Sequence, residues 1–119
     1  MPYEFLTYKE KKILYVDFRG YSDDNERIKL MQKVAEAVAN STEELLTLDD
    51  FRGVPLSMEF LNQAKIVGKE VSSKRKKAAI LGISGLRKIF LDAYNLFAGD
   101  KMMPFKTKEE ALDYLASDD

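Results

Sequence analysis

The chain has no cysteine, no histidine and no tryptophan. Zinc sites built on Cys or His, iron–sulfur clusters, thiol nucleophiles and every triad that needs an imidazole base are thereby excluded. The lack of cysteine fits a reducing compartment, and we expect a cytoplasmic protein. No apolar run approaches the roughly 18 residues that indicate a membrane helix. The opening Met1-Pro-Tyr-Glu-Phe5 lacks the basic flank and apolar stretch of a signal peptide. An excess of one charge is also missing: Lys plus Arg is 19, Asp plus Glu is 20, and the net charge is -1. Nucleic-acid binders usually carry a basic excess, so none is expected as partner.

What is present is 119 residues, 45% of them hydrophobic. That length suits one domain, residues 1–119, with a core that needs no metal or disulfide staple. No linker or low-complexity segment divides it, and no metal or other cofactor is expected.

The periodicities predict nine elements. Tyr3–Tyr8 and Ile13–Arg19 read as a hairpin around a charged turn, Lys9 to Lys12. A helix follows from Asp23 to Asn40, with capping-box spacing at Asp23 and Glu26. Leu45–Phe51 is a strand, and Ser57 caps a helix over Met58–Val71. Ala78–Ile83 reads as a strand buried on both faces. Ser84 then caps a third helix to Phe97, with Leu86, Ile89, Phe90, Ala93 and Phe97 as its inner stripe and Gly99 as its stop. Lys101–Phe105 is an edge strand, because Pro104 cannot donate to a ladder. Thr107 and Glu110 open a last helix docked by Ala111, Leu112 and Leu115, and residues 117–119 are expected to fray. The order β-β-α-β-α-β-α-β-α predicts an α/β fold. Its sheet is mixed, mainly parallel and five-stranded, and carries four helices.

In open α/β sheets ligands sit outside the carboxyl ends of the strands. A partner-binding rim is therefore expected around Arg19, Tyr21, Asp50, Arg52, Ser57 and Ser84. Asp-Phe-Arg-Gly occurs twice there, at Asp17–Gly20 and Asp50–Gly53. Coincidence between two strand ends is the favoured reading; the alternative sets Arg19 and Arg52 side by side. Asp49 and Asp50 face opposite ways on a strand and read as solvated strand-end carboxylates rather than a shared ion site. A receiver domain would need acidic residues after its first strand, where this chain has a hairpin. Gly82-Ile-Ser-Gly85 lacks both phosphate-loop patterns and reads as a tight turn. Lys74-Arg-Lys-Lys77 reads as a solvated boundary at the opposite end from the rim. Leu86, Phe90, Tyr94 and Phe97 recur at helical spacing and are either core or an apolar groove for a small hydrophobic molecule. Nothing in these residues points to catalysis.

The segment Lys77–Gly99, followed by Pro104–Leu115 with its Thr cap and Glu-Glu-Ala-Leu helix, resembles the STAS-like proteins related to the sporulation anti-anti-sigma factor SpoIIAA (SpoIIAA-like or STAS/SEC14 proteins). The resemblance implies a small non-catalytic interaction module with a protein partner, regulatory in the manner of an anti-sigma antagonist. A homodimer is compatible with it. It also implies a phosphorylatable Ser at the helix after the second core strand, and Ser57 is the nearest residue. The family's Asp-Ser-Ser/Thr-Gly signature is absent, however, and Val54-Pro-Leu-Ser-Met-Glu59 stands in its place. Ser57 therefore reads first as a helix cap. The SEC14 side of the resemblance implies, as the alternative function, a carrier of a lipid-like ligand.

Overall fold

Two left-handed residues make the opening hairpin. Lys9 (φ 47°) and Glu10 (φ 67°) form a two-residue turn, the geometry whose twist suits antiparallel strands. β1 (Tyr3–Tyr8) and β2 (Lys11–Asp17) flank it, with Tyr8 opposite Lys11, so the turn is two residues shorter than the charge pattern indicated. The computed structural model describes residues 2–118; expectations that touch Met1 or Asp119 lie outside the described residues.

The remaining elements follow in the expected order. They are α1 (Asp24–Ala39), β3 (Leu45–Asp50), α2 (Met58–Val71), β4 (Arg75–Leu81), α3 (Lys88–Ala98), β5 (Met103–Phe105) and α4 (Lys108–Ala116). Side chains close three helix N-termini: Asp23 accepts from Glu26 N, Ser57 from Phe60 N and Thr107 from Glu110 N. Gly99 stops α3 in the left-handed conformation at φ 67°.

The sheet order is β1-β2-β3-β4-β5, antiparallel only between β1 and β2. Strands that keep advancing in one direction, joined by right-handed crossovers, put all their helices on one face. α1, α2 and α3 accordingly share one layer with Leu14, Val16, Phe18, Phe51 and Ile80. α4 follows the last strand and is free to cover the opposite face, where Ala111, Leu112 and Leu115 meet Ile13, Leu48, Ala79 and Leu81. β4 is buried on both faces from Ala78 to Leu81, and β5 forms an edge paired only with β4.

Four expectations need correction. β4 begins at Arg75, so all of the basic run but Lys74 lies inside a strand rather than before it. Lys77 Nζ donates to Tyr114 O, Ser117 O and Ser117 Oγ, which ties down the end of α4; Ser117 does not fray, and Lys11 pairs with Asp118 at 3.3 Å. Ser84 makes no side-chain cap. Gly85–Arg87 is a 3-10 turn, and Arg87 Nη2 anchors it by donating to Val54 O at 2.6 Å. That turn displaces the start of α3, so its inner face is Leu91, Tyr94 and Ala98, while Leu86, Ile89 and Phe97 lie exposed.

Candidate functional site

Adjacent strand residues face opposite sides of a sheet. Asp49 and Asp50 at the end of β3 do so, and each centres a different site.

Asp50 lies on the α4 side and is fully inaccessible to solvent, which corrects its reading as a solvated carboxylate. It accepts hydrogen bonds from Tyr15 Oη at 2.6 Å and from Arg52 N, Nε and Nη2 at 3.1, 2.9 and 2.6 Å. Asp17 treats Arg19 in the same way, accepting from N at 2.9 Å, Nε at 3.0 Å and Nη2 at 3.2 Å. The two Asp-Phe-Arg-Gly segments are thus one local structure built twice. β2 and β3 pair with Asp17 opposite Asp50, so the copies stand in register. Phe18 and Phe51 stack at 4.4 Å on the helix side, and Gly20 and Gly53 turn the chain away at φ 89° and 72°. Both strand ends use the same turn chemistry, and the register sets Arg19 beside Arg52, with Arg19 Nη2 also 3.5 Å from Asp50 Oδ2.

Burial alone would raise the Asp50 carboxyl. The bonds from Arg52, then Tyr15, outweigh it and hold the group at about 2. Burial and the bond to Asp50 push the Tyr15 phenol up to about 12. Both arginines are charge-matched by their aspartates, yet their side chains stay 44% and 39% exposed. Such a pair presents oriented donors without a strong field. Tyr21 is half-buried against the helix-side core, and its carbonyl accepts from the buried Arg27. Ser57 is occupied as a cap and Ser84 is exposed; among the described residues neither hydroxyl bonds to the arginine pair. The monotonic strand order contains no reversal, so the described rim has no topological switch point of the kind that usually holds a ligand at strand ends.

Asp49 faces the helix layer. There a cavity of about 110 Å³ lies between the sheet and α1–α3. Its wall is mainly apolar, with Val16, Val34, Phe60, Leu61 and Ile80 among the lining residues. Thr47, Asp49, Ser57, Arg75 and the Tyr94 hydroxyl are polar exceptions. Asp49 is half-buried and lines the cavity. Burial raises its carboxyl to about 6, against a smaller lowering by Arg75 and a further push upward from Asp100. Arg75 itself is held by Tyr94 Oη at 2.6 Å and by Asp100, and Tyr94 Oη donates to Asp100 at 2.7 Å. The expected solvated boundary therefore contains a side chain that is only 9% exposed.

The expected apolar groove divides in two. Phe90 and Tyr94 line the cavity, but Leu86 is 85% and Phe97 50% exposed. Lys65 and Lys69 sit over the Phe97 ring instead. Gly68 explains the position of Tyr94: a Cβ there would lie 2.4 Å from the phenol oxygen. Thr47, Asp49, Gly68 and Arg75 went unnoticed as cavity residues. For Thr47 and Asp49 the signal was available, since two polar residues at i and i+2 occupy the apolar phase of Leu45-Leu-Thr-Leu-Asp-Asp50.

No group of acidic residues among the described residues is arranged to hold a metal ion. No described helix is long and apolar enough to cross a membrane. No family model and no curated protein matches the chain. Two solved structures do. An uncharacterised Shewanella loihica protein of the DUF3478 family, with a SpoIIAA-like fold, is 19% identical over 96% of this chain and 92% of its own, at TM-score 0.67. An anti-sigma-factor antagonist (STAS) domain protein from Planctomyces limnophilus is 14% identical over 97% and 98%, at TM-score 0.62. With its single antiparallel pair, three parallel crossovers, four helices and end-to-end superposition on both, this chain has the SpoIIAA-like, STAS-type fold.

Proposed function

We propose that the protein is a non-catalytic binding module that holds a small hydrophobic molecule between its sheet and its α1–α3 layer. The observation that carries this reading is the cavity beside Phe90 and Tyr94. Close-packed interiors leave few voids larger than a water molecule, and ligand sites are concave, mostly apolar and marked by a few polar groups. Native and denaturing mass spectrometry of protein isolated from its own cells tests it. A mass present only under native conditions, and lost in Ala64→Leu, supports the reading. A bare chain under both conditions counts against it.

A second reading is favoured by the in-register arginine pair. Arg19 and Arg52, fixed by Asp17 and Asp50, present a pre-ordered face to the acceptor groups of a protein partner. This is the interaction-module role that the family resemblance implies, with recognition on the rim. Arg19→Gln with Arg52→Gln removes that face. A partner bound equally well by the double variant refutes the assignment. Ser57 has its place in this reading as a cap, and a phosphate mapped to it in the isolated protein would restore the switch that its sequence context argues against.

A further inference from the structure

Three polar groups on the cavity wall have unmet bonding capacity. Thr47 Oγ1 and Arg75 Nε have no hydrogen-bond partner among the described residues, although Thr47 is 3% and the Arg75 side chain 9% exposed. None of the described residues donates a hydrogen bond to the Asp49 carboxylate. A buried polar group left unpaired is costly, and native structures rarely gather several in one place. Ser57 and Tyr94 also line the cavity, but their hydroxyls are already bonded, to Phe60 N and to Arg75 and Asp100; the rest of the wall is apolar.

Charge decides what the gathering is for. Arg75 is already neutralised by Asp100, its ion-pair partner. Tyr94 bonds both and is neutral. Asp49 is then the surplus, one negative charge facing a cavity of low polarity. A carboxylate or phosphate headgroup would be repelled there. An ammonium would donate to Asp49 and to Thr47 Oγ1, and a ligand oxygen or a water would meet Arg75 Nε. At roughly 10–15 Å³ per water-sized sphere, a cavity of about 110 Å³ holds on the order of eight such spheres, the size of a short aliphatic molecule.

We propose that Thr47, Asp49 and Arg75 form the polar end of a ligand site, and that the ligand class is a primary amine on a compact apolar body. This deepens the hydrophobic-ligand reading above and rests on it. Asp49 is the specificity group, and the apolar wall supplies affinity shared by any molecule of that size.

The test compares hexylamine, hexan-1-ol and hexanoate by amide chemical-shift titration at about pH 8, where Asp49 is ionised and the amine protonated. Hexylamine is expected to bind about tenfold more tightly than hexan-1-ol, and hexanoate most weakly. In Asp49→Asn, a near-isosteric change, the amine preference should vanish while hexan-1-ol binding persists. Ala64→Leu, which fills the cavity from α2, should weaken all three. Equal binding of amine and alcohol, or an unchanged preference in Asp49→Asn, overturns the amine assignment and leaves the hydrophobic site standing. Failure of all three probes to bind, or binding untouched by Ala64→Leu, removes the hydrophobic-ligand reading and the inference with it. The comparison among probes on the unmodified protein needs no variant to fold.

Discussion

The two adjacent aspartates of β3 should titrate in opposite directions, and Asp49→Asn isolates the unusual one. Asp49 moves from an ordinary 3.8 to about 6 in the folded chain, chiefly through burial, with Arg75 lowering and Asp100 raising it by less. A raised carboxyl means that the folded state binds its proton more tightly than the unfolded state does. Stability linked to this group is therefore greatest at low pH and is lost as pH climbs from about 4 through about 6. The shift of about 2 units corresponds to about 3 kcal/mol once both states are ionised. An asparagine carries no such penalty. The stability of Asp49→Asn relative to the unmodified protein should thus grow by about 2 kcal/mol between about pH 4.5 and 8.

Urea unfolding at a series of pH values measures this difference directly, and other titrating groups cancel between the two proteins. Carbon-13 NMR of the carboxyl provides the midpoint independently. A difference that stays flat across that range, or an Asp49 midpoint below about 4.5, would refute the claim that this carboxylate is desolvated. Binding of hexylamine should pull the midpoint back down, since a cation stabilises the ionised form.

Asp50→Asn should lower stability by about 3 kcal/mol in urea unfolding, because it leaves Arg52 beside a neutral group and weakens four hydrogen bonds. Asp50 has the opposite pH sign: its contribution is complete above about 3.8 and is lost as pH falls through about 2, which acid unfolding followed by circular dichroism checks. Gly68→Ala should destabilise by roughly 1–3 kcal/mol, despite alanine's helix preference, because the new Cβ displaces the Tyr94 ring from Arg75 and Asp100; the near-ultraviolet tyrosine signal should change with it. Ser57→Ala should cost about 1 kcal/mol in thermal unfolding, the loss of one cap, with arginine-rim contacts unaltered.

Element order, strand direction and most helix caps were legible because each has a local cause. The Asp23, Ser57 and Thr107 caps and the Gly99 stop need only neighbouring residues. The ends of β4 and α3 were not legible for the same reason in reverse. Arg75 enters the strand because Tyr94 and Asp100, 19 and 25 residues away, receive its guanidinium. A charge run carries no mark of such partners. α3 is apolar nearly all round, so periodicity could not choose between the faces led by Phe97 and by Leu91; the 3-10 turn at Gly85–Arg87 made that choice. The rim pair was written in the Asp-Phe-Arg-Gly repeat, but its meaning depended on the β2–β3 register, which sets Asp17 opposite Asp50. The cavity was least visible, since its volume depends on how three helices and a sheet fit together.

One strand end thus serves two chemically different surfaces. The pleat sends Asp50 to Tyr15, Arg19 and Arg52, where every lone pair has a donor and the carboxylate is held ionised. It sends Asp49 toward a wall of hydrocarbon, where the carboxylate has none and burial raises it. Dense bonding makes the first a rigid structural anchor, and substitution there should disturb the fold before it disturbs a ligand. Lack of bonding makes the second expensive to keep and cheap to replace by asparagine. A destabilising group at which asparagine would be better tolerated is where stability and function are expected to pull apart. Asp49 is therefore the residue at which a loss of binding with a gain in stability would separate a working site from a packing flaw.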